Sequence, residues 1–125
     1  MPLYDVEHIV PLTEEQQASL AIAFTNLHSK RFKTPKFFVN VRYSDVSAQV
    51  VYRGGRKVEY NRVILRTRVG EQRSKDLYDD HCRDIVKIWE EHIGSGGREG
   101  LRTVWVLGAL TTAVESGIAR PRVSS

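Results

Sequence analysis

Apolar and polar positions alternate along this chain with two different periods, and the switches between them divide it into elements. Residues 3–10 are short and partly alternating, as a strand requires, and Pro11 stops them. Thr13 and Gln16 then have the T-x-x-Q spacing of a capping box, and Leu20, Ala23, Phe24, Leu27 and Phe32 continue a stripe at helical spacing. This predicts a helix over 14–31. Within 37–43, Val39, Val41 and Tyr43 alternate with Asn40 and Arg42, the period of a strand with one buried face.

The same order then recurs. Val50-Val51-Tyr52 before Arg53-Gly54-Gly55-Arg56 predicts a short hairpin, and 62–69 combines β-branched residues with arginines that point outward from a third strand. Ser74 caps a second helix over 75–93, where Tyr78, Cys82, Ile85, Trp89 and Ile93 recur every three or four residues. Ser95-Gly96-Gly97 ends it, and 103–107 supplies a last strand. The chain therefore predicts one domain over 1–125, with strand–helix–strand units at about 2–45 and 60–108 and a tail over 109–125. Two crossovers side by side give an α/β (α+β) fold, a four-stranded sheet with both helices on one face. The other face is left uncovered, so self-association is expected.

Composition narrows the class. With 125 residues, 41% of them hydrophobic, the chain can bury a core, and its single cysteine excludes an internal disulfide framework or a multi-cysteine metal site. No basic leader and no long apolar run are visible, which predicts a cytoplasmic protein that does not engage a membrane. The formal charge of +4 hides an asymmetry: residues 1–29 carry −4, residues 30–75 carry +10 and residues 76–125 carry −2. Those central bases lie in folded elements without an RNA- or DNA-binding signature, so no nucleic-acid partner is expected.

Candidate chemistry begins with what is missing. The sequence has no G-x-G-x-x-G, P-loop or H-E-x-x-H motif, Gly54-Gly55 reads as a turn, and no cofactor or metal is implied. His8, His81 and His92 read as structural or surface residues, and Cys82 as a buried structural thiol. Pro2 is the unusual position. Removal of Met1 would free a secondary amine, whose pKa near 8 an apolar or cationic pocket would lower toward neutrality. Such an amine can act as general base or acid, or attack a carbonyl or activated alkene. Arg62, Arg66 and Arg68 share one strand parity and Arg73 follows at the helix junction, an arrangement open to carboxylate binding or to a solvated or intersubunit ion-pair face.

Pro2, F-T-N-L-H at 24–28, R-S-K-D-L at 73–77 and V-E-S-G at 114–117 together resemble the tautomerase superfamily, nearest to the cis-3-chloroacrylic acid dehalogenase group. The resemblance spans nearly the whole chain. It implies two fused β-α-β units in a homotrimer, which would supply the missing sheet cover. It also implies proton transfer by Pro2, substrate or water positioning by His28, carboxylate binding by Arg73 and water activation by Glu115. Two departures stand out. The family's second carboxylate-binding arginine falls at or near Gly70, with Arg68 as the conditional replacement, and Leu107 follows Trp105-Val106 where the dehalogenase has a tyrosine. The expected activity is keto-enol proton transfer on a small 2-oxo acid. Hydration or dehalogenation of a 3-substituted acrylic acid is the enzymatic alternative, and a non-catalytic trimeric binding or signalling protein is the other.

Overall fold

A computed structural model of the chain describes residues 2–68 and 73–109. The first unit consists of β1 (Leu3–His8), α1 (Glu14–Phe32) and β2 (Asn40–Asp45), and the second of β5 (Asn61–Arg68), α2 (Lys75–His92) and β6 (Leu101–Ala109). Between them lies a hairpin of β3 (Val51–Arg53) and β4 (Arg56–Val58). Gly54 and Gly55 turn it with φ of 58° and 79°, a pair of positive angles that side-chain-bearing residues resist.

The main sheet has the order β2-β1-β5-β6. Each unit contributes a parallel pair, β1 with β2 and β5 with β6, and the two units meet through antiparallel β1 and β5. Antiparallel docking of the inner strands relates the units by an approximate twofold. Both helices pack on one side, where Leu20 and Phe24 of α1 and Ile85 and Trp89 of α2 close over Tyr4, Val6, Val63 and Leu65, all fully buried. The Trp89 indole N–H donates to the Glu99 carbonyl at 2.8 Å, so its burial leaves no orphaned donor.

The predicted caps and boundaries are close to those observed, and the differences have local causes. Thr13 accepts from the Gln16 backbone while Gln16 reaches back to Thr13, completing the capping box, and Ser74 accepts from the Leu77 backbone. Strand β1 ends at His8 instead of continuing to residue 10 because the Ile9 amide leaves the ladder and donates to Asn61 Oδ1 at 2.8 Å. Pro35 diverts Lys36–Phe38 into a 3-10 turn, so β2 begins at Asn40 and not at Phe37. The buried stripe of α2 is His81, Ile85 and Trp89. Cys82 lies one residue off that stripe and is only partly buried, which corrects its reading as a core thiol.

On the opposite side of the sheet, β1 presents Leu3, Asp5 and Glu7 beside Arg62, Ile64 and Arg66 of β5. Arg62 pairs with Glu7, and Asp5 is held by Arg42 at 2.6 Å and Arg66 at 3.4 Å. Trp105 and Leu107 of β6 remain exposed there.

Candidate active site

Strand direction decides which residues can meet. Because α1 and β5 both run back against β1, the N-terminal end of β1 gathers the last turns of α1, the end of β5 and the first turns of α2. Pro2, His28, Phe32, Arg68, Arg73, Tyr78 and His81 therefore belong to one end of the sheet, and β6 also ends there, with Ala109 opposite Arg68. Pro2 is buried and anchored at its carbonyl, which accepts the Asn40 backbone amide at 2.9 Å. It has the parity of Tyr4 and Val6, the side of β1 that meets the helices.

Tyr4 links this end to both helices. Its ring stacks on Phe24 with centroids 5.4 Å apart, and its hydroxyl lies 2.7 Å from His28 Nδ1 and 2.6 Å from His81 Nε2. His81 Nδ1 in turn accepts from Arg31 Nη1 at 3.0 Å, and Arg31 Nη2 donates to Asp84 at 2.6 Å. Phe32 fills the angle between the imidazoles, 4.7 Å from each. The Arg73 guanidinium carbon lies 4.6 Å from the Phe32 ring centroid, a cation–π contact, and Arg73 Nη1 donates to the Arg68 carbonyl at 3.1 Å. The Tyr78 hydroxyl donates to that same carbonyl at 3.4 Å.

Burial controls the charge states. His28 is pushed down to about 3, first by desolvation and then by the nearby His81 and Arg73. His81 is pushed down to about 4, again by desolvation first and by Arg31 second. Burial drives the Tyr4 phenol well above its ordinary value. Near neutral pH both imidazoles are uncharged and the phenol keeps its proton. The cations in contact with this cluster are Arg31 and Arg73, and His28 can only accept or donate a hydrogen bond as a neutral ring.

A family model described as "Putative oxalocrotonate tautomerase enzyme" matches residues 1–117. The chain belongs to the tautomerase superfamily. Among solved structures, this tautomerase-superfamily chain is similar to a fused 4-OT wild-type asymmetric trimer, with a TM-score of 0.72 and 15% identity over 92% of each chain. It is similar to N1, a member of the cis-3-chloroacrylic acid dehalogenase family, with a TM-score of 0.66 and 22% identity over 95% of this chain and 83% of that one. A third is Pt0534 inactivated by 2-oxo-3-pentynoate, with a TM-score of 0.67 and 14% identity over 94% of each chain. No curated protein sequence matches significantly.

Of the site residues expected from the sequence, Pro2, His28 and Arg73 gather at this end of the fold, on the helix side of the sheet. Arg68 reaches the same end through its backbone, but strand parity groups its side chain with Arg62 and Arg66 on the opposite face. Glu115 lies outside the described residues. Tyr4, Arg31, His81 and Asp84 were not among the expected site residues. A signal for His81 existed, since it precedes Ile85 and Trp89 by four and eight residues on α2, and His28 follows Phe24 and Leu20 by the same steps on α1. Two buried histidines on two facing core stripes each require a polar partner, and Tyr4 serves both. Among the described residues no group of three or more His, Cys, Asp or Glu side chains is placed to hold a metal ion. No described helix is long and apolar enough to cross a membrane.

Proposed function

We propose that the protein is a cofactor-independent tautomerase that moves a proton between carbon and oxygen of a small 2-oxo acid. The observation that carries this reading is the meeting of Pro2, His28 and Arg73 at one end of a tautomerase-superfamily fold. Once Met1 is removed, the Pro2 nitrogen is a secondary amine at a buried position near the Arg73 cation, conditions that lower its pKa toward neutrality. It takes a proton from the carbon beside the carbonyl, negative charge develops on the carbonyl oxygen, and His28 stabilises that charge by hydrogen bonding. Arg73 holds the carboxylate, joined by Arg68 if its side chain turns toward the site, and Glu115 orients substrate or water. Return of the proton to oxygen completes the cycle without a cofactor.

The sheet face that no described element covers supports a homotrimer as the working unit. Exposed Trp105 and Leu107 flank half-buried ion pairs there, a mixture suited to burial against other copies. The fused 4-OT relative is itself a trimer by its description.

The test combines labelling with turnover. 2-Oxo-3-pentynoate, the compound that inactivated Pt0534, has an alkyne conjugated to a ketone, and a free amine adds across it. Incubation should increase the intact mass by one inhibitor, located on the peptide that begins at Pro2. Pro2→Ala should lower kcat/KM for enol substrates by at least about 100-fold while assembly persists. Retained turnover in Pro2→Ala, or Met1 still present in active enzyme, removes Pro2 from the mechanism. The same screen should include halogenated and acetylenic acids, because turnover of these and not of enols would indicate hydration instead.

A further inference from the structure

We infer that Arg31, acting through His81 and Tyr4, fixes the direction of a buried hydrogen-bond chain so that His28 presents a protonated Nε2 to the substrate. This deepens the tautomerase reading and rests on it for the substrate, though the proton order itself can be measured without one.

The order follows from donor counting. A guanidinium only donates, so the 3.0 Å contact from Arg31 makes His81 Nδ1 an acceptor without a proton. His81 is neutral, and its one ring proton is therefore on Nε2, where it donates across 2.6 Å to the Tyr4 oxygen. Tyr4 must then direct its own proton to the remaining neighbour, His28 Nδ1 at 2.7 Å. With Nδ1 accepting, neutral His28 carries its proton on Nε2, and among the described residues no hydrogen bond engages that atom.

The reversed assignment at His28 fails on energy. If His28 Nδ1 carried the proton, Tyr4 would receive two donors and its own hydroxyl proton would have no acceptor, in a side chain with no solvent exposure. Leaving a buried donor unsatisfied is unfavourable enough to make the Arg31-directed order dominant. Asp84 anchors the far end by holding Arg31 with its fork toward His81. Arg31, His81, Tyr4 and Asp84 are thus positioning residues, and His28 Nε2–H is the group that meets the developing oxyanion. A neutral imidazole suits this task because it donates without giving up its proton.

Long-range proton–nitrogen NMR of the full-length protein labelled with 15N-histidine reads both tautomers directly. At neutral pH, His28 and His81 should each show a protonated Nε2 and a bare Nδ1. Protonated Nδ1 on His28 in the unmodified protein overturns the inference, and that measurement requires no variant. Arg31→Gln replaces an obligate donor with an amide that can also accept, so the chain can reverse. It should populate the Nδ1-protonated form of His28 and lower kcat for enol substrates by roughly 10-fold or more, with a smaller change in KM. Arg31→Lys, which still donates, should restore the Nε2 form and recover part of the kcat loss relative to Arg31→Gln. Unchanged tautomers in a folded Arg31→Gln also overturn the inference. Expected tautomers in a protein without enol turnover refute the functional reading and leave the proton order standing.

Discussion

The two faces of the sheet are built from the same strands and solve opposite problems. Toward the helices, β5 presents the buried Asn61, Val63, Leu65 and Thr67, and polar groups there are tied into hydrogen bonds: Asn61 with the Ile9 amide, Trp89 with the Glu99 carbonyl, and the connected chain from Tyr4 to Asp84. Away from them, β5 presents Arg62, Ile64 and Arg66, and charges are paired across neighbouring strands. The Asp5 side chain is only 5% exposed on this nominally open face because Arg42 and Arg66 lie against it. One face is closed by its own helices. Among the described residues no layer covers the other, yet its charges are already partly desolvated, which suits burial against another surface.

The sharpest break of this comparison lies on the covered face. Trp89→Ala removes a fully buried indole and its hydrogen bond to Glu99, and should cost about 3–5 kcal/mol of unfolding free energy. A urea midpoint close to that of the unmodified protein would show that the helix layer does not carry the core.

The polar chain on the covered face predicts a dependence on acidity. His28 and His81 stay neutral in the fold because their pKa values are lowered to about 3 and about 4, whereas in the unfolded chain a histidine takes up a proton near 6.5. Below that ordinary value the unfolded state binds more protons, so stability present at neutral pH is lost as the pH falls toward the folded values. Each ring contributes up to about 1.4 kcal/mol per pH unit in this window. Urea midpoints should therefore fall between about pH 7 and pH 5, and His81→Gln should show a shallower fall than the unmodified protein. A flat midpoint over that range would mean that the buried rings already share a proton, contrary to the donor order derived from Arg31.

The contrast between faces was legible in the sequence, but the polar chain was not. Period-two alternation separated Val39, Val41 and Tyr43 from Asn40 and Arg42, and placed Arg62, Arg66 and Arg68 on one parity, because side-chain direction in a strand depends only on counting. Thr13, Gln16 and Ser74 announced both helix starts because capping is local. Tyr4, His28, Arg31, His81 and Asp84 instead come from three elements, and the bonded pair Tyr4 and His81 is 77 residues apart in sequence. No spacing rule connects them, and each alone reads as a core or surface residue. The offset of Cys82 from the buried stripe shows the same limit: a three-or-four-residue rhythm admits two adjacent stripes, and packing against α1 and β6, with the Tyr4 hydroxyl of β1, selected the one that contains His81.

The smallest expected effect on the single chain tests the open face. Trp105 is 48% exposed and its ring lies 5.7 Å from the Arg62 guanidinium carbon, so Trp105→Glu replaces one Arg62 contact with another and removes little buried area. Unfolding free energy of the isolated subunit should change by no more than about 0.5 kcal/mol. Assembly should respond differently, because a carboxylate placed among Ile64 and Leu107 would be desolvated whenever another copy covered the face. Under the proposed assembly, sedimentation velocity should show the unmodified protein as a trimer and Trp105→Glu as a monomer, at concentrations where both remain folded by circular dichroism. A trimer that survives the substitution would place the subunit contacts elsewhere, and the half-buried ion pairs around Asp5 would then belong to the monomer alone.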